Sequence, residues 1–600
     1  MSPNPIVLSN PILDVSLDPK AGALCVADKR VPHPYAYAPS DEMVIVGAER
    51  NSERAARLTL LHAPSGNQFH ALVALSGSKP EFSVEISTDA EEMPDAASFP
   101  PPLRCEKGDW LVVPMNEGIL YPVDDPAVAP PRRLSAYGGH GGLSMPWFGV
   151  TNMERGVAAI VETPDDMAAV FGRDEAKRLF VAPVWEPSKG QLRYPRKITY
   201  VFFDRGGYVA QAKAYRQRVV AAGRFKSLQE KRAENPNVDL LIGAPDVWTS
   251  GIDPVETAKA LHEAGVERLL FCFLGSAVQN RSRAAEVNAI EALGFLVTRY
   301  DSYRTAYPVG KPEQAPRHFD TPDRIAKRPD GTLRSGWLIK RKDAQWPGYE
   351  VCSVEQLKEA AQNIPQDLAI TKYQGRFIDT TTAAALMECY DEKHPLARSD
   401  DKQNKTCLLE FVSKDCGLIA GSETGQDWAA PVVHYFEGMM SLCPYRVPDS
   451  GRDMFQYKEP TPDLLNFQVG PRYRAPLWEL VYHDSVVAVW YWGDGSNKQP
   501  ELWDRRDLWN ILYGTPPLWM IDNEKWPKEK DRCVKSYNDV CPAVRKTAYQ
   551  EMLKHEFVTE DHTVQRTTFS SGVRTTVNFG EKPFKTESGK LVPPMGHLLE

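Results

Sequence analysis

Three segments of the chain place a carboxylate where an apolar, β-prone run ends. Asp301 follows such a run in TRYDSY, Asp379 in FIDTTT and Glu423 in GLIAGSETGQDW. Any one of these acids is more simply interpreted as a helix cap or as an acceptor of structural hydrogen bonds. Three successive runs, each ending in an acid near Tyr, Thr or Trp, instead favour a catalytic site.

Paired carboxylates of this kind are suited to cleaving a glycosidic bond by double displacement. Neighbouring strands lie about 4.8 Å apart, so acids at their ends can approach the roughly 5–5.5 Å separation of a retaining glycosidase pair. One carboxylate attacks the anomeric carbon, while the other protonates the leaving oxygen and later activates water. The two environments must separate the pKa values, one low and one raised.

The elements that carry these acids alternate between apolar strands and amphipathic helices. From about residue 236, VDLLIGAPDVW predicts a buried strand, and DPVETAKALHEAG predicts a helix with Asp253 at its N-cap and Gly265 at its C-terminal end. RLLFCFLG, FLVTRYDSY, GRFIDTT and LIAGSET predict further strands, and AAEVNAIEALG, VEQLKEAAQNI and TCLLEFVSKDCG predict the helices between them.

This alternation predicts at least five parallel βα units. A (β/α)₈ barrel of the TIM type is favoured over a doubly wound sheet. No GxGxxG motif follows a strand, which argues against a dinucleotide, and we expect no organic cofactor. In a barrel, the carboxyl ends of the strands form the active site.

The two ends of the chain differ from this central region. Residues 1–222 consist of short β-prone runs separated by turns, and they predict a large N-terminal β-sandwich that ends in the helix YVAQAKAYRQRVVAAG. We expect the catalytic barrel over residues 236–535. HTVQRTTFSSGVRTTVNFGEKPF alternates like a hairpin about Ser571-Gly572, which predicts a small C-terminal β-domain over 540–600.

The composition narrows the classes of partner. A net charge of −8 and a pI near 5.9 argue against nucleic acid or an anionic membrane surface as partner. The start of the chain has neither the basic nor the apolar region of a signal peptide, and no apolar run approaches the roughly 18 residues of a membrane span. We therefore expect a cytoplasmic protein, or a periplasmic or secreted one if a leader has been trimmed.

The ten cysteines give no metal signature. None forms a CxxC motif, and no histidine cluster lies near them at zinc-ligand spacing. Several cysteines occur in apolar runs, Cys272 in LLFCFL among them, where buried free thiols are expected.

The order TRYDSY, FIDTTT, GSETGQDW and PLWELVYHD resembles that of glycoside hydrolase family 129 and its relative, family 101. The segment GGHGGLSMPWFGVTN resembles the N-terminal part of the same group. The resemblance extends in separated islands from about residue 130 to 520. It implies a retaining α-N-acetylgalactosaminidase that releases the sugar linked to Ser or Thr in mucin-type glycans or glycopeptides.

The resemblance also implies roles for particular residues. Asp379 matches the nucleophile, Glu423 the acid/base, and Asp301 an acid that binds sugar hydroxyls. Ordinary packing is the alternative for the tryptophans, and a hydrogen-bonded loop residue is the alternative for the histidine of GGHGG. The candidates for substrate binding beyond Asp301 are Tyr300, Tyr303, Trp428, His483, Asp484, Trp490, Trp492, Asp494 and His140.

A calcium ion is a further implication of the resemblance. Calcium takes about six to eight oxygen ligands, and no EF-hand loop occurs in the sequence. Glu423 and Asp427 are the candidate ligands.

Several alternatives stay open at this point. An α-galactosidase or another exo-acting glycosidase could use the same scaffold, and a carbohydrate-binding relative could keep the fold without catalysis. A metal-dependent lyase or aldolase is disfavoured, because no HxH motif lies near the first strand and no lysine ends a strand in a Schiff-base setting. We expect a carbohydrate partner in the first two cases, and homo-oligomerisation is left open.

Overall fold

The computed structural model describes residues 5–40, 42–93, 95–274, 282–310, 317–341, 344–439 and 441–600. The chain forms two compact units, Met1–Arg218 and Val219–Glu600. Among the described residues, no helix is both long enough and apolar enough to cross a membrane.

The first unit consists of antiparallel sheets. Its strands alternate buried and half-buried or exposed residues, as in Leu13–Asp18, because one face of the sheet covers the core. The largest sheet has nine strands, in the spatial order Ile119–Pro122, Trp110–Val113, Trp147–Thr151, Gly156–Val161, Arg196–Phe203, Glu81–Ser87, Gln68–Leu75, Ala55–His62 and Met43–Ser52. The smaller sheets contain Ile6–Ser9, Leu13–Asp18, Ala23–Asp28 and Tyr35–Ala36, and Arg133–Ser135, Met167–Arg173 and Leu179–Trp185.

The second unit is built on eight parallel strands. In chain order, they are Asp246–Ser250, Leu270–Phe273, Leu296–Ser302, Gly375–Asp379, Ile419–Glu423, Tyr435–Met439, Val487–Trp490 and Leu518–Asp522. Each strand pairs with the next along the chain as far as the seventh, and the eighth pairs in parallel with the first. Because the spatial order follows the chain order and returns to the first strand, this is the expected (β/α)₈ barrel and not a doubly wound sheet. The predicted fold class is confirmed.

Helices follow or precede most barrel strands. Asp253 caps the first of them as predicted, since its Oδ1 accepts hydrogen bonds from the backbone of Val255 and Glu256 at 2.9 and 3.1 Å. The helices of eight or more residues are Gly207–Ala221, which contains the boundary between the units, and Pro254–Glu263, Ala284–Glu291, Ser353–Leu368, Arg398–Glu410, Trp503–Tyr513 and Trp526–Thr547. Shorter helical segments are Pro164–Asp166, Leu228–Glu234, Val238–Leu241, Pro322–Arg324, Phe411–Asp415, Asp427–Ala429, Cys443–Tyr445, Leu464–Gln468, Leu477–Tyr482 and Pro500–Leu502.

One strand prediction was too long. The run VDLLIGAPDVW does not form a single strand, because Val238–Leu241 is a short helix and the strand begins at Asp246. Gly243 between them has φ +70, and Pro245 supplies no backbone donor. These two residues divide the apolar run into a helical turn and a strand.

Two β-structures are attached to the barrel. Between the third strand and the helix Ser353–Leu368 lie Thr305–Pro308, His318–Phe319, Ser335–Arg341 and Ala344–Glu350. After the last helix come Met552–Phe557, Val564–Phe569, Arg574–Asn578, Phe584–Lys585, Leu591–Val592 and Gly596–Leu599. The hairpin predicted about Ser571-Gly572 joins the second and third strands of this last group. The three-domain division of the sequence stays a prediction.

Candidate active site

Asp379 and Glu423 end two neighbouring strands of the barrel. The fourth strand ends at Asp379, the fifth ends at Glu423, and the two strands are parallel. Ile378 pairs with Ser422, one residue before each acid. The register therefore brings both carboxyl groups to the same height at the carboxyl edge of the sheet.

Alternation along the fourth strand directs Asp379 into the barrel. Phe377, two residues earlier and hence on the same face, contacts the ring of Trp248 on the first strand, with centroids 5.5 Å apart. Arg376 points the other way and donates to Asp367 Oδ2 at 2.7 Å, on the helix Ser353–Leu368. An aromatic contact inside and an ion pair outside thus fix the orientation of this strand.

The two carboxyl groups interact directly. Burial raises the pKa of Asp379 well above its ordinary value, and the charge of Glu423 and a hydrogen bond with it raise that pKa further. Two carboxyl groups in such contact cannot both ionise at low cost. Sharing one proton relieves this repulsion, and an acid and a base acting in sequence require such an arrangement.

Tyr300 has the opposite effect on the pKa of Asp379. Its hydroxyl donates a 2.7 Å hydrogen bond to Asp379 Oδ2, and this bond lowers the pKa of Asp379. The family resemblance made Tyr300 a candidate for substrate binding. The structure places it against the carboxylate that would attack the sugar.

The residues that follow the acids share an unusual backbone conformation. Thr380, directly after Asp379, has φ +62, and Thr424, directly after Glu423, has φ +58. Left-handed backbone is strained for a β-branched residue, and strain of this kind concentrates at functional sites. Each strand turns sharply just beyond its acid.

A third acid, Glu437, is buried beside this half-buried pair and was missed by sequence reasoning. It is on the sixth strand, where it pairs in register with Glu423, and it is followed by Gly438 with φ +61. Tyr491 donates to Glu437 Oε1 at 2.9 Å. Burial raises the pKa of Glu437 well above its usual value, and the charges of nearby acids add to this. The signal in the sequence was an acid followed by glycine at the end of the apolar run VVHYFEG.

Gly438 also leaves room for the acid/base candidate. A Cβ atom at position 438 would lie only 3.1 Å from Glu423 Cγ, which is closer than ordinary van der Waals contact. Both its left-handed backbone and this close approach favour glycine there.

Asp246 is a fourth acid, deeper in the barrel. It lies on the first strand two residues before Trp248, so both side chains share the interior face. Burial raises the pKa of Asp246 to about 8, and its charge acts on both Tyr435 and Glu437. Asp246 thus extends the acidic interior below the Asp379–Glu423 pair.

Asp301 lies in a different environment. Its Oδ2 accepts from Tyr303 at 2.6 Å and from two nitrogens of Arg376 at 2.6 and 3.0 Å, and Arg317 approaches Oδ1 to 3.7 Å. Although burial opposes ionisation, the charges of the arginines hold the pKa of Asp301 at about 2. Since Tyr300 faces the interior, its neighbour Asp301 faces the outer side of the strand. The predicted contacts of Asp301 and Tyr303 with sugar hydroxyls stay predictions.

His483 and Asp484, which the resemblance offers for substrate binding, lie away from the Asp379–Glu423 pair. Both residues precede the seventh strand, and in a parallel barrel they lie at the amino-terminal face. His483 Nδ1 is 2.8 Å from the carbonyl of Gln550, and the backbone carbonyl of Asp484 accepts from Leu228. These contacts join the segment before the seventh strand to neighbouring parts of the second unit.

The tryptophans of the seventh strand are also packing residues, as the alternative interpretation held. Trp490 donates to Glu479 Oε1 at 2.6 Å, and Trp492 donates to Asn510 Oδ1 at 2.6 Å. The two rings lie 5.6 Å apart, and both are buried. Tyr491 between them faces the opposite side, toward Glu437. Of the three aromatic residues, Tyr491 is therefore the one that contacts the interior acids.

Asp494 follows the seventh strand and is paired with cations. Its carboxylate lies 2.9 Å from Arg446 and 3.0 Å from Lys498, and it accepts from Ser450. A role for Asp494 in sugar binding stays a prediction.

Three predicted residues lie in turns or loops. Asp427 is buried and Trp428 half-buried in the short helix Asp427–Ala429 after the fifth strand, and Tyr482 donates to Asp427 Oδ2 at 3.5 Å. His140 belongs to the first unit, where its backbone carbonyl accepts from Asn116 at 3.3 Å. Their contacts with substrate stay predictions.

The calcium ion that the resemblance implies is not marked by a cluster of three carboxylates among the described residues. No three carboxylates among them have oxygens that all lie within 4.8 Å of one another. Calcium prefers about six to eight oxygen ligands. The calcium ion, with Glu423 and Asp427 as ligands, stays a prediction, and no catalytic step is derived through it.

A family model described as "glycosyl hydrolases related to GH101 family, GH129" matches residues 260–568, which is 309 of the 600 residues. The chain belongs to glycoside hydrolase family 129. As a member of this family it is a glycoside hydrolase, and the match includes all four of the barrel strands that end near Asp301, Asp379, Glu423 and Glu437.

Solved structures share the fold. Ligand-free α-N-acetylgalactosaminidase NagBb from Bifidobacterium bifidum is 19% identical, has a TM-score of 0.78, and aligns over 98% of this chain and 100% of its own. Its GalNAc complex gives 18% identity and a TM-score of 0.79, with coverages of 98% and 99%. A GH31 sulfoquinovosidase from E. rectale gives 10% identity and a TM-score of 0.57, with coverages of 100% and 92%. No curated protein matches the chain. At these identities the structures support the fold of the family 129 chain.

Proposed function

We propose that this family 129 enzyme is a retaining, exo-acting α-N-acetylgalactosaminidase that releases α-linked N-acetylgalactosamine from Ser/Thr-type glycans or glycopeptides. The observation that carries the mechanism is the interaction of the Asp379 and Glu423 carboxyl groups at the ends of adjacent strands. The sugar is inferred from family membership and from the shared fold with NagBb.

Two displacements account for the reaction. Asp379 attacks the anomeric carbon as the bond to the leaving oxygen breaks, and Glu423 gives its proton to that oxygen. Glu423 then removes a proton from water, the water oxygen attacks the anomeric carbon, and the bond to Asp379 breaks. The sugar leaves with retained configuration, and Glu423 regains its proton.

The substrate and the stereochemistry are tested with 4-nitrophenyl α- and β-glycosides of GalNAc, Gal and GlcNAc. We expect the α-GalNAc substrate to give the highest kcat/KM and the α anomer to form first by NMR. A β anomer formed first would contradict double displacement. A preference for α-galactoside would make the enzyme an α-galactosidase, and no turnover of any substrate would favour a carbohydrate-binding relative.

The nucleophile is tested with Asp379→Ala. We expect turnover to fall by several orders of magnitude and to be restored partly by azide or formate, which can occupy the space of the missing carboxylate and attack the sugar. The matched control is Asp522→Ala, because Asp522 ends the eighth barrel strand but accepts bonds from its own turn at Glu524 and Lys525. Wild-type activity in Asp379→Ala would disprove the assignment.

The acid/base is tested with Glu423→Ala on two leaving groups. Loss of the proton donor should cost about 10²–10⁴-fold on a poor leaving group and much less on an activated one. Equal losses on both would rule out proton donation by Glu423.

A further inference from the structure

A second cluster of reactive side chains lies apart from the four interior acids. It consists of Cys352, Cys389 and His394, which are all buried, and one donor atom from each lies within 4.8 Å of the others. Cys352 is the N-cap of the helix Ser353–Leu368. Cys389 and His394 belong to the segment 380–397 that follows the fourth barrel strand. The cluster therefore joins a helix to the loop beyond Asp379.

The hydrogen bond of the histidine fixes its tautomer. His394 Nε2 lies 2.9 Å from the backbone carbonyl oxygen of Asp323, which can only accept, so Nε2 carries a proton. Nδ1 faces Cys389 Sγ at 3.3 Å. Metal-binding histidines are commonly arranged in this way, with one nitrogen donating to a carbonyl and the other directed at the ion.

The surroundings of the sulfur atoms suit thiolates. Cys389 Sγ accepts from the backbone N–H groups of Lys327 and Asp391, both at 3.5 Å. Cys352 lies at the N-terminus of a 16-residue helix, where the helix dipole favours negative charge. The cluster is lined by apolar residues, namely Ala326, Met387 and Leu396.

We propose that Cys352, Cys389 and His394 bind a zinc ion. Two thiolates and one imidazole are a ligand set typical of Zn²⁺, and the hard ion Ca²⁺ would not choose it. Binding displaces one proton from each thiol, and the fourth tetrahedral position is left to a non-protein ligand such as water. The ion tethers the segment 380–397 to the helix Ser353–Leu368.

No compact sequence motif marks this site, because its ligands are far apart along the chain. Cys389 lies 37 residues after Cys352, and the nearest pair is a cysteine and a histidine five positions apart. The proposal thus departs from the sequence expectation, which found no histidine cluster near the cysteines at zinc-ligand spacing. The inserted strands between Thr305 and Glu350, and the helix after them, bring the ligands together.

The test is the metal content of the full chain, purified without an affinity tag and measured by elemental mass spectrometry. We expect one zinc per chain, and its loss in Cys389→Ser and in His394→Gln. The matched control is Cys407→Ser, a half-buried cysteine on the helix Arg398–Glu410, which should keep the metal. Calcium, if bound, should stay in all these variants.

A second measurement does not depend on whether the variants fold. The wild-type chain, depleted of zinc and titrated with Co²⁺, should develop the intense visible absorption of a tetrahedral ion and a thiolate charge-transfer band in the near ultraviolet. A chain that binds neither metal, so that the cluster is only a thiolate–imidazolium pair, would overturn the proposal. So would a disulfide between Cys352 and Cys389, seen as protection from alkylation and a mass lower by two hydrogens.

Discussion

At the scale of single residues, the proposed mechanism depends on one proton shared by the acid pair. In that mechanism Asp379 must be ionised to attack, while Glu423 must be protonated to assist departure of the leaving group. The singly protonated pair is the only form that satisfies both conditions. Activity should therefore fall when the pair gains a second proton and again when it loses its last one.

Changing Tyr300 to Phe should shift the acid limb of this profile. In the wild type, the hydrogen bond from Tyr300 lowers the pKa of Asp379. Its removal should therefore raise that pKa and move the acid limb of kcat/KM to higher pH. Loss of a bond to a charged group should also cost about 10- to 100-fold in kcat/KM. The control is Tyr303→Phe, because the Tyr303 hydroxyl donates to Asp301 and not to Asp379. This variant should leave the acid limb in place. A Tyr300→Phe profile that overlays the wild type would contradict this.

Changing Glu423 to Gln should shift the acid limb in the opposite direction. The charge of Glu423 and its hydrogen bond raise the pKa of Asp379, so the variant should keep Asp379 ionised to lower pH. An activated 4-nitrophenyl substrate makes the residual rate measurable, because it needs little proton donation. An unchanged acid limb would mean that the two carboxyl groups do not interact in solution.

Sequence reasoning identified the acids but not which of their neighbours face them. Asp379, Glu423 and Tyr300 were found from strand ends and family order. Glu437 and Tyr491 were missed because successive side chains of a strand point to opposite faces of the sheet. In a fully apolar run, the sequence does not show which residues face the barrel interior. The adjacent tryptophans were more conspicuous and led to the wrong side of the strand.

At the scale of elements, three successive strands share one local feature near their carboxyl ends. Each has an acid on the interior face, followed by a left-handed residue, at Thr380, Thr424 or Gly438. The turn ends the fourth and fifth strands directly beyond the acid, whereas the sixth strand pairs once more at Met439 after an irregularity. The apolar runs were enough to predict that these segments are strands. The turns after the acids could not be predicted, because threonine rarely adopts left-handed backbone.

A buried lysine stabilises the opposite end of the barrel. Lys231, on the short helix Leu228–Glu234, donates from Nζ to the carbonyls of Ala430, Val433 and Ser485 at 2.6 to 2.7 Å. Lys231→Met leaves these carbonyls without their donor and should lower the free energy of unfolding by about 2–5 kcal/mol.

Urea denaturation followed by tryptophan fluorescence measures this loss. Lys259→Met, on the exposed side of the helix Pro254–Glu263, is the control and should change stability little. Equal stability of the Lys231→Met variant and the wild type would show that the three carbonyls find other donors.

At the scale of the whole molecule, the acidic barrel interior should make stability depend on pH. Asp246 has a pKa of about 8 in the folded chain against an ordinary value of 3.8. Between these values the folded state keeps a proton that the unfolded state has lost. Stability therefore falls as the pH rises through this window, by about 1 kcal/mol per pH unit for a group of this kind.

Asp246→Asn removes this contribution. The variant should gain in Tm relative to the wild type as the pH is raised from 5 toward 8, with a smaller gain at the acidic end. The stability of the variant will still depend on pH to some extent, because Glu437 also has a raised pKa. Thermal unfolding at several pH values measures the difference, and parallel curves for the two proteins would contradict it.

The overall architecture could be predicted because the apolar strands and the helices between them repeat clearly enough to indicate a barrel. The long segment between the third and fourth strands could not be interpreted in the same way. Its hairpin strands pair with one another over short distances, and residues such as Cys352 meet their partners only after the chain has folded back.

The matched register of the fourth and fifth strands has a consequence for how this enzyme tolerates insertions and deletions. Removing one residue between Gly375 and Asp379, or between Ile419 and Glu423, would exchange the two faces of that strand and turn its acid toward the helices. Lengthening the loops beyond either acid leaves the pairing intact. A screen of single-residue deletions should therefore find activity abolished inside these two short strands and retained at many positions in the surface loops.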